Sequence, residues 1–357
     1  MKDAGLYESR GPRRSSGELL AIDLFSGAGG LTQGLKEAGF RVIGAVEMDR
    51  LACATYRRNH RLPTIWKSDI RRVSGKAVRR ALRLRRGQLD LLAGCPPCQG
   101  FSTMRTRNRG SSVRDPRNKL VFEFLRFARA LRPRAVMMEN VPALAKSARM
   151  GQLLAGLRRL GYSAKIQVLD AANFGVPQRR RRVILLGVRG SALAMPQPGE
   201  ATRTVADAIK ALARPGKSGD SLHDLAAERS EKVMKLIKAI PRNGGSRSDL
   251  GQAKQLRCHR KIDGFKDVYG RMAWDAVAPT ITSGCINPSK GRFLHPTQNR
   301  AITLREAALL QTFPPGYWFS LARGKYPAAL LIGNALPPRF IRAVATHLKR
   351  LYLGSRR

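Results

Sequence analysis

Apolar positions in the first half of the chain gather into short unbroken runs separated by amphipathic stretches. Leu19 to Phe25 reads as a buried strand, followed by a Gly-rich turn and a helix around Leu31 to Ala38. Val42 to Val46 is a second strand, and Leu89 to Ala93, Ala135 to Met138 and Val183 to Val188 are further runs of strand length. Leu120 to Leu131 places Leu120, Val121, Phe124, Phe127, Ala128 and Leu131 at helical spacing. Strands apolar on both faces, alternating with helices, predict an α/β fold built on a doubly wound sheet, because helices then cover both faces.

The alternation stops near Gly190. Ser191 to Leu256 is rich in Gly, Pro, Ser and charge, with one clear helical stretch at Glu228 to Ile240. Order returns at Ala301 to Leu310, and the chain finishes on a helical Phe340 to Leu353. The pattern sets a basic N-terminal segment (1–17), expected to be disordered, before a large regular region that runs to about Gly190, with a smaller, less regular domain after it.

Candidate chemistry sits where runs end. Asp23-Leu-Phe-Ser-Gly-Ala-Gly-Gly30 follows a strand and opens a helix, so its glycines permit a sharp turn close to a ligand and the helix start offers free N–H groups. Glu47 ends the second strand, where an acid accepts hydrogen bonds from ribose hydroxyls. Dehydrogenases share this topology, although Gly27-Ala-Gly29-Gly30 is not their G-x-G-x-x-G spacing; a plain strand-to-helix turn with a surface glutamate is the simpler alternative. Asp69, after the Thr64–Trp66 run, is either an adenine partner or a helix cap. Gly94-Cys95-Pro-Pro-Cys98-Gln-Gly-Phe-Ser102 comes directly after Leu89–Ala93. Two prolines stiffen that segment, making Cys98 a candidate nucleophile at the carboxyl edge of the sheet. A redox pair or half a zinc site shares the C-x-x-C spacing, but neither Cys258-His259 nor Cys285 supplies a well-spaced second ligand pair. Glu139-Asn140-Val141 ends another strand on the same edge, and Gln178 with Arg179 to Arg182 enters the Val183 strand.

Charge sharpens this picture. Among 357 residues, Lys and Arg number 67 against 24 acids, a formal net charge of +43 spread along the chain. Such an excess selects a polyanion, nucleic acid first, although a generally Arg-rich proteome would produce part of the same bias. Five cysteines do not form a disulfide framework, and with no secretory leader or bilayer-length apolar stretch the expected setting is a reducing cytoplasm.

The ordered motifs then carry a resemblance. DLFSGAGG at 23–30, VEMD at 46–49, SDI at 68–70, GCPPCQGFS at 94–102, ENV at 139–141, QRRRR at 178–182, LREAALLQTFP at 304–314 and LIGNALPP at 331–338 together resemble the bacterial-type DNA cytosine-5 methyltransferases. The resemblance spans Leu19 to Leu351. It implies a Rossmann-like catalytic domain (18–190 with 326–357) with a smaller target-recognition domain (191–325), and S-adenosyl-L-methionine as the cofactor. Phe25, Gly27, Gly29, Glu47, Met48, Asp69, Ile70, Pro97, Leu120, Asn334 and Ala335 would hold that cofactor. Cys98 would be the nucleophile, Glu139 the proton donor to ring N3 and Arg182 the group that binds the cytosine O2, with Arg180 bracing the loop or a phosphate; Cys95 only lines the site. Double-stranded DNA would be the partner, met by Gln99, Ser102, Arg105, Arg107, Arg109, Gln178, Arg271 and Thr280, and Thr103 to Arg114 would form a loop closing over it. The protein would act as a monomer, with a restriction endonuclease encoded nearby as a candidate partner. The rival readings are an RNA cytosine-5 methyltransferase, separated by preference for transfer RNA over duplex DNA, and a silent DNA-binding protein on the same fold, separated by turnover that depends on Cys98.

Overall fold

The computed structural model describes residues 17–61, 64–97, 119–225, 229–251 and 267–353. In chain order its first half runs β1 (Leu19–Leu24), α1 (Gly30–Glu37), β2 (Phe40–Glu47), α2 (Arg50–Asn59), β3 (Thr64–Lys67), α3 (Gly75–Ala81), β4 (Leu91–Gly94), α4 (Leu120–Leu131), β5 (Ala135–Asn140), α5 (Ala148–Arg159), β6 (Tyr162–Asp170) and β7 (Arg181–Arg189). The strands form one sheet in the order β3-β2-β1-β4-β5-β7-β6. β1 to β5 are parallel, as helical crossovers require. β7 lies antiparallel between β5 and β6, because residues 171–180 link β6 to β7 without a crossover helix. The doubly wound sheet expected from the pattern is therefore mixed at one edge.

Alternate residues of each strand point to opposite faces. On β1, Leu20, Ile22 and Leu24 pack with Val78, Phe124, Phe127, Leu153 and Leu157 of α3, α4 and α5. Leu19 and Ala21 face the other way, toward Leu31 and Leu35 of α1 and toward Phe340, Ile341 and Val344 of the C-terminal helix. Each fully buried large side chain contributes roughly 1.5–3 kcal/mol, so these two layers hold the sheet. α4 begins and ends where its periodicity placed it, with Val121, Phe124, Leu125, Phe127, Ala128 and Leu131 buried.

The second half contributes α6 (Val205–Ile209), α7 (Ser221–Asp224), α8 (Glu231–Ala239), α9 (Leu304–Leu310), α10 (Lys325–Asn334) and α11 (Pro338–Leu348). α9 starts three residues later than its apolar run, because Thr303 and Glu306 cap it reciprocally. α11 spans most of the expected terminal helix, which loosens into a π turn over Lys349–Leu353. A third apolar cluster joins Val205, Ile209, Met272, Ile281, Leu304, Phe313, Phe319 and Ile332, and it includes Ala28 from the turn after β1. The C-terminal third thus returns to the edge where β1 ends. Among the described residues no helix is long and apolar enough to cross a membrane.

Candidate active site

The strand order reverses direction between β1 and β4, and the crevice beyond the carboxyl ends of such strands is where open α/β sheets bind ligands. The turn after β1 is strained: Phe25 holds φ 60 and Gly29 φ 93. At Gly29 a Cβ would fall 2.5 Å from His60 Nε2 and 2.7 Å from the Tyr317 hydroxyl, so no side chain fits. Tyr317 also donates to the Ala28 carbonyl at 2.6 Å, pinning the turn from a segment almost 290 residues away. Glu47, at the end of β2, holds the turn from the other side. Its Oε2 accepts from Gly27 N–H, and its Oε1 accepts from Met48 and Asp49 N–H, all at 2.8 Å. A carboxylate has about four acceptor positions, so Glu47 retains capacity for a further donor. Met48 beside it is 66 % exposed, an unpacked thioether at the rim of the crevice.

Two buried oxygens near this turn, Asp23 Oδ1 and Ser26 Oγ, have no hydrogen-bond partner among the described residues. Asp69 caps the short 3-10 turn that follows it and pairs with the Arg71 guanidinium at 2.5 Å. Those bonds pull its carboxyl down to about 2. The cap reading of Asp69 is thus realised, and an adenine amine would have to share the carboxylate with Arg71. Ile70 is buried beside it, Leu120 is half-buried at the start of α4, and Pro97 is half-buried after β4. Asn334 is exposed at the end of α10, with Ala335 packed against the cluster that contains Ala28.

The second wall comes from β4, β5 and β7. Cys95 N–H donates to the Leu24 carbonyl at 3.2 Å, and Asn140 Nδ2 donates to the Pro96 carbonyl at 2.8 Å, so the Cys95–Pro97 stretch is fastened to both neighbouring strand ends. Cys98, Gln99, Ser102, Arg105, Arg107 and Arg109, and the whole Thr103–Arg114 stretch, lie outside the described residues. Burial, with the charge of Glu139 adding to it, pushes the Cys95 thiol well above its ordinary range, which disfavours its thiolate. Glu139 on β5 and Arg182 on β7 form an ion pair, Nε to Oε1 2.8 Å, with both side chains largely withdrawn from water. Burial raises the Glu139 pKa against the opposing pull of Arg182 and Arg180. The pair therefore presents a carboxyl that holds a proton more readily than a free glutamate, steered by a guanidinium.

Four of the expected contact residues occupy other positions. Arg180 is buried, and its guanidinium donates to the carbonyls of Ile281, Gly333 and Ala335 at 2.9–3.1 Å. These bonds tie the 281 segment to the 333–335 segment behind the wall. Gln178 is also fully buried, bonded to Leu310, Gln311 and Ile281, so it cannot read DNA. Arg271, expected at the DNA, is buried with its donors spent on Ile237, Ile240, His295, Gln298 and Asn299. A buried guanidinium must find acceptors, and here backbone carbonyls supply them. Thr280 is half-buried and donates its hydroxyl to the Arg179 carbonyl at 2.6 Å. Residue-level reading assigned no task to Asn140 or Gln311; their position inside motifs was the available signal.

Residues 19–350 match the family described as C-5 cytosine-specific DNA methylase. The chain is 37 % identical over 350 residues to the type II methylase M.HgiDII of Herpetosiphon aurantiacus, covering 93 % of this chain and 96 % of that protein. It is 34 % identical over 334 residues to the type II methyltransferase M1.HphI of Haemophilus parahaemolyticus, covering 92 % and 86 %. A solved structure described as a DNA modification methyltransferase encoded within an E. coli prophage superposes with TM-score 0.71 at 23 % identity, covering 94 % and 99 %. That last likeness supports the fold.

Proposed function

The chain belongs to the C-5 cytosine-specific DNA methylase family, and on that premise we propose that it methylates carbon 5 of a cytosine within a defined duplex DNA sequence. The observation that carries the site assignment is the buried Glu139–Arg182 pair, beside the strand end from which Cys98 departs. S-adenosylmethionine, when bound, supplies a methyl group on a sulfonium. The chain has the donors and acceptors to hold it: the unpartnered Asp23 and Ser26 oxygens, the spare capacity of Glu47, the exposed Met48 and the turn at Phe25, Gly27 and Gly29 all face the same task. Asp69, Ile70, Pro97, Leu120, Asn334 and Ala335 complete the set.

Carbon 5 of cytosine is a weak nucleophile. Addition of the Cys98 thiolate to carbon 6 breaks ring conjugation and makes carbon 5 enamine-like. Glu139 delivers a proton to N3 as the sulfur–carbon bond forms, so no negative charge accumulates on the ring. Arg182 holds Glu139 in place and meets the developing charge at O2. After carbon 5 is methylated its proton leaves to a base, the electron pair expels the Cys98 thiolate, and the N3 proton returns to Glu139. The reacting carbons are unreachable within a duplex, so the cytosine is extruded first.

Residues 191–325 carry target recognition in this reading, and Gln99, Ser102, Arg105, Arg107 and Arg109 contact DNA from the stretch behind the nucleophile. The enzyme works as a monomer in the bacterial cytoplasm, at the nucleoid, within a type II modification system like those its relatives are named for. Incubation with cofactor and a duplex carrying 5-fluorocytosine at the modified site is expected to trap a covalent adduct through Cys98. Methylated DNA without such an adduct would remove the mechanism, and stronger methylation of transfer RNA than of duplex DNA would remove the substrate.

A further inference from the structure

Beneath the wall of the site lies a chain of side-chain amides that the reaction as described does not use. Ile281 N–H donates to Gln178 Oε1 at 3.0 Å. Gln178 Nε2 donates to Gln311 Oε1 at 2.8 Å and to the Leu310 carbonyl at 3.0 Å. Gln311 Nε2 donates to the carbonyls of Ile332 at 2.6 Å and Ala335 at 3.3 Å. Both glutamines are completely buried, and all four of their amide hydrogens are used. The relay has one direction only, since each amide passes donation from the 281 backbone toward the 335 backbone. Buried polar networks satisfied in this way fix one geometry, because any shift would strand a donor or an acceptor.

A second feature fastens the same two segments. A Cβ on Gly333 would lie 2.2 Å from the Thr282 carbonyl carbon and 2.4 Å from Ser283 N, so the two backbones touch where only glycine fits. The Arg180 guanidinium spans them as well, reaching Ile281 on one side and Gly333 and Ala335 on the other. Residues 280–283 and the Asn334–Ala335 turn are thus one mechanical unit. The first belongs to the recognition segment and the second to the cofactor's set.

We infer that Gln311 is a positioning residue for the methyl transfer, acting through Gln178 to hold the Asn334–Ala335 turn in register with Ile281. The inference rests on the proposed function, because it takes Asn334 and Ala335 to be cofactor ligands. Gln311 touches neither cofactor nor base; it sets where the turn stands when the cofactor arrives. A merely structural role would give loss of stability alone.

Three measurements decide it. Calorimetric titration with S-adenosylhomocysteine, without DNA, is expected to show about tenfold weaker binding for Gln311→Met and for Gln178→Met. Steady-state kinetics should then show a raised KM for the cofactor with kcat within about twofold of the parent. The double variant should be no weaker than either single one, since one relay is broken once. Ile302→Val, a trimmed side chain in the neighbouring apolar cluster, serves as a control for general loosening. Unchanged affinity in folded variants, a loss matched by Ile302→Val, or additive losses in the double variant would each overturn the inference. In the parent protein, S-adenosylhomocysteine should slow amide hydrogen exchange at Ile281 as well as at 331–336. Slowing confined to 331–336 overturns the relay even if both variants fail to fold. A parent protein that binds no S-adenosylhomocysteine overturns the function itself, and the relay's role with it.

Discussion

Asp23 offers a quantitative test of how the turn after β1 is built. The residue has no exposed surface; its Oδ2 accepts from Thr32 Oγ1 at 2.7 Å, and Oδ1 has no hydrogen-bond partner among the described residues. Burial pushes its pKa up from 3.8 to about 7, partly offset by the Thr32 hydrogen bond and reinforced by the charge of Glu47. Between those two values the folded chain retains a proton that the unfolded chain has released. The contribution of Asp23 to stability is therefore complete below the unfolded value, declines as pH rises, and has been lost once pH passes about 7. One pKa unit corresponds to about 1.4 kcal/mol, so the whole decline is about 4 kcal/mol. Asp23→Asn carries no titrating proton, and its carbonyl oxygen can still accept from Thr32. The stability of the Asn variant relative to the parent should accordingly rise by about 4 kcal/mol between pH 4 and pH 8, with most of the change before pH 7. Urea unfolding of both proteins at half-unit pH steps measures this directly, and taking the difference cancels the titration of every other group. A difference constant to within about 1 kcal/mol over that range would show that Asp23 titrates alike in both states, and the account of its burial would fail.

Four shorter expectations concern Glu139, Arg271 and the charge of the chain. Glu139→Gln should lower kcat by about 10²- to 10⁴-fold while leaving S-adenosylhomocysteine affinity unchanged, as removal of a proton donor does; comparable single-turnover rates in the two proteins would exclude Glu139 from that role. Because burial raises the Glu139 pKa, the parent rate should fall on the alkaline side as that proton is lost, and this limb should be missing from the pH profile of the Gln variant. Arg271→Met should cost at least about 3 kcal/mol in urea unfolding, since five acceptors lose their donor, while the methylated sequence read by bisulfite sequencing stays the same. The +43 charge should make DNA affinity fall steeply with salt, and a flat response in a filter-binding titration would place that charge away from the interface.

What could be read from the chain alone follows from how locally each feature is determined. α4 was legible to the residue because its buried positions recur at helical spacing without interruption. β6 was not: it is an edge strand in which exposed Ser163 and Lys165 alternate with buried Tyr162 and Ala164, so no apolar run marks it, and its pairing depends on β7 arriving from the opposite direction. α5 escaped for a related reason, since it buries only Met150, Leu153, Gly156 and Leu157 of twelve residues. Motifs at strand ends announced Glu47 and Glu139, because a strand end fixes where a side chain is delivered. The destination of a long polar side chain is a different matter. Gln178 and Arg271 looked like DNA contacts, and Arg180 like a brace for the loop or a phosphate, because a sequence gives their donors but not the carbonyls that satisfy them. Those carbonyls lie between 24 and 155 residues away along the chain, in segments that meet only when the C-terminal third folds back. An arginine or glutamine inside a motif can thus serve the ligand or the scaffold that holds it. Here burial ties all three to the scaffold, whereas the Arg182 guanidinium is paired with the buried carboxylate of Glu139.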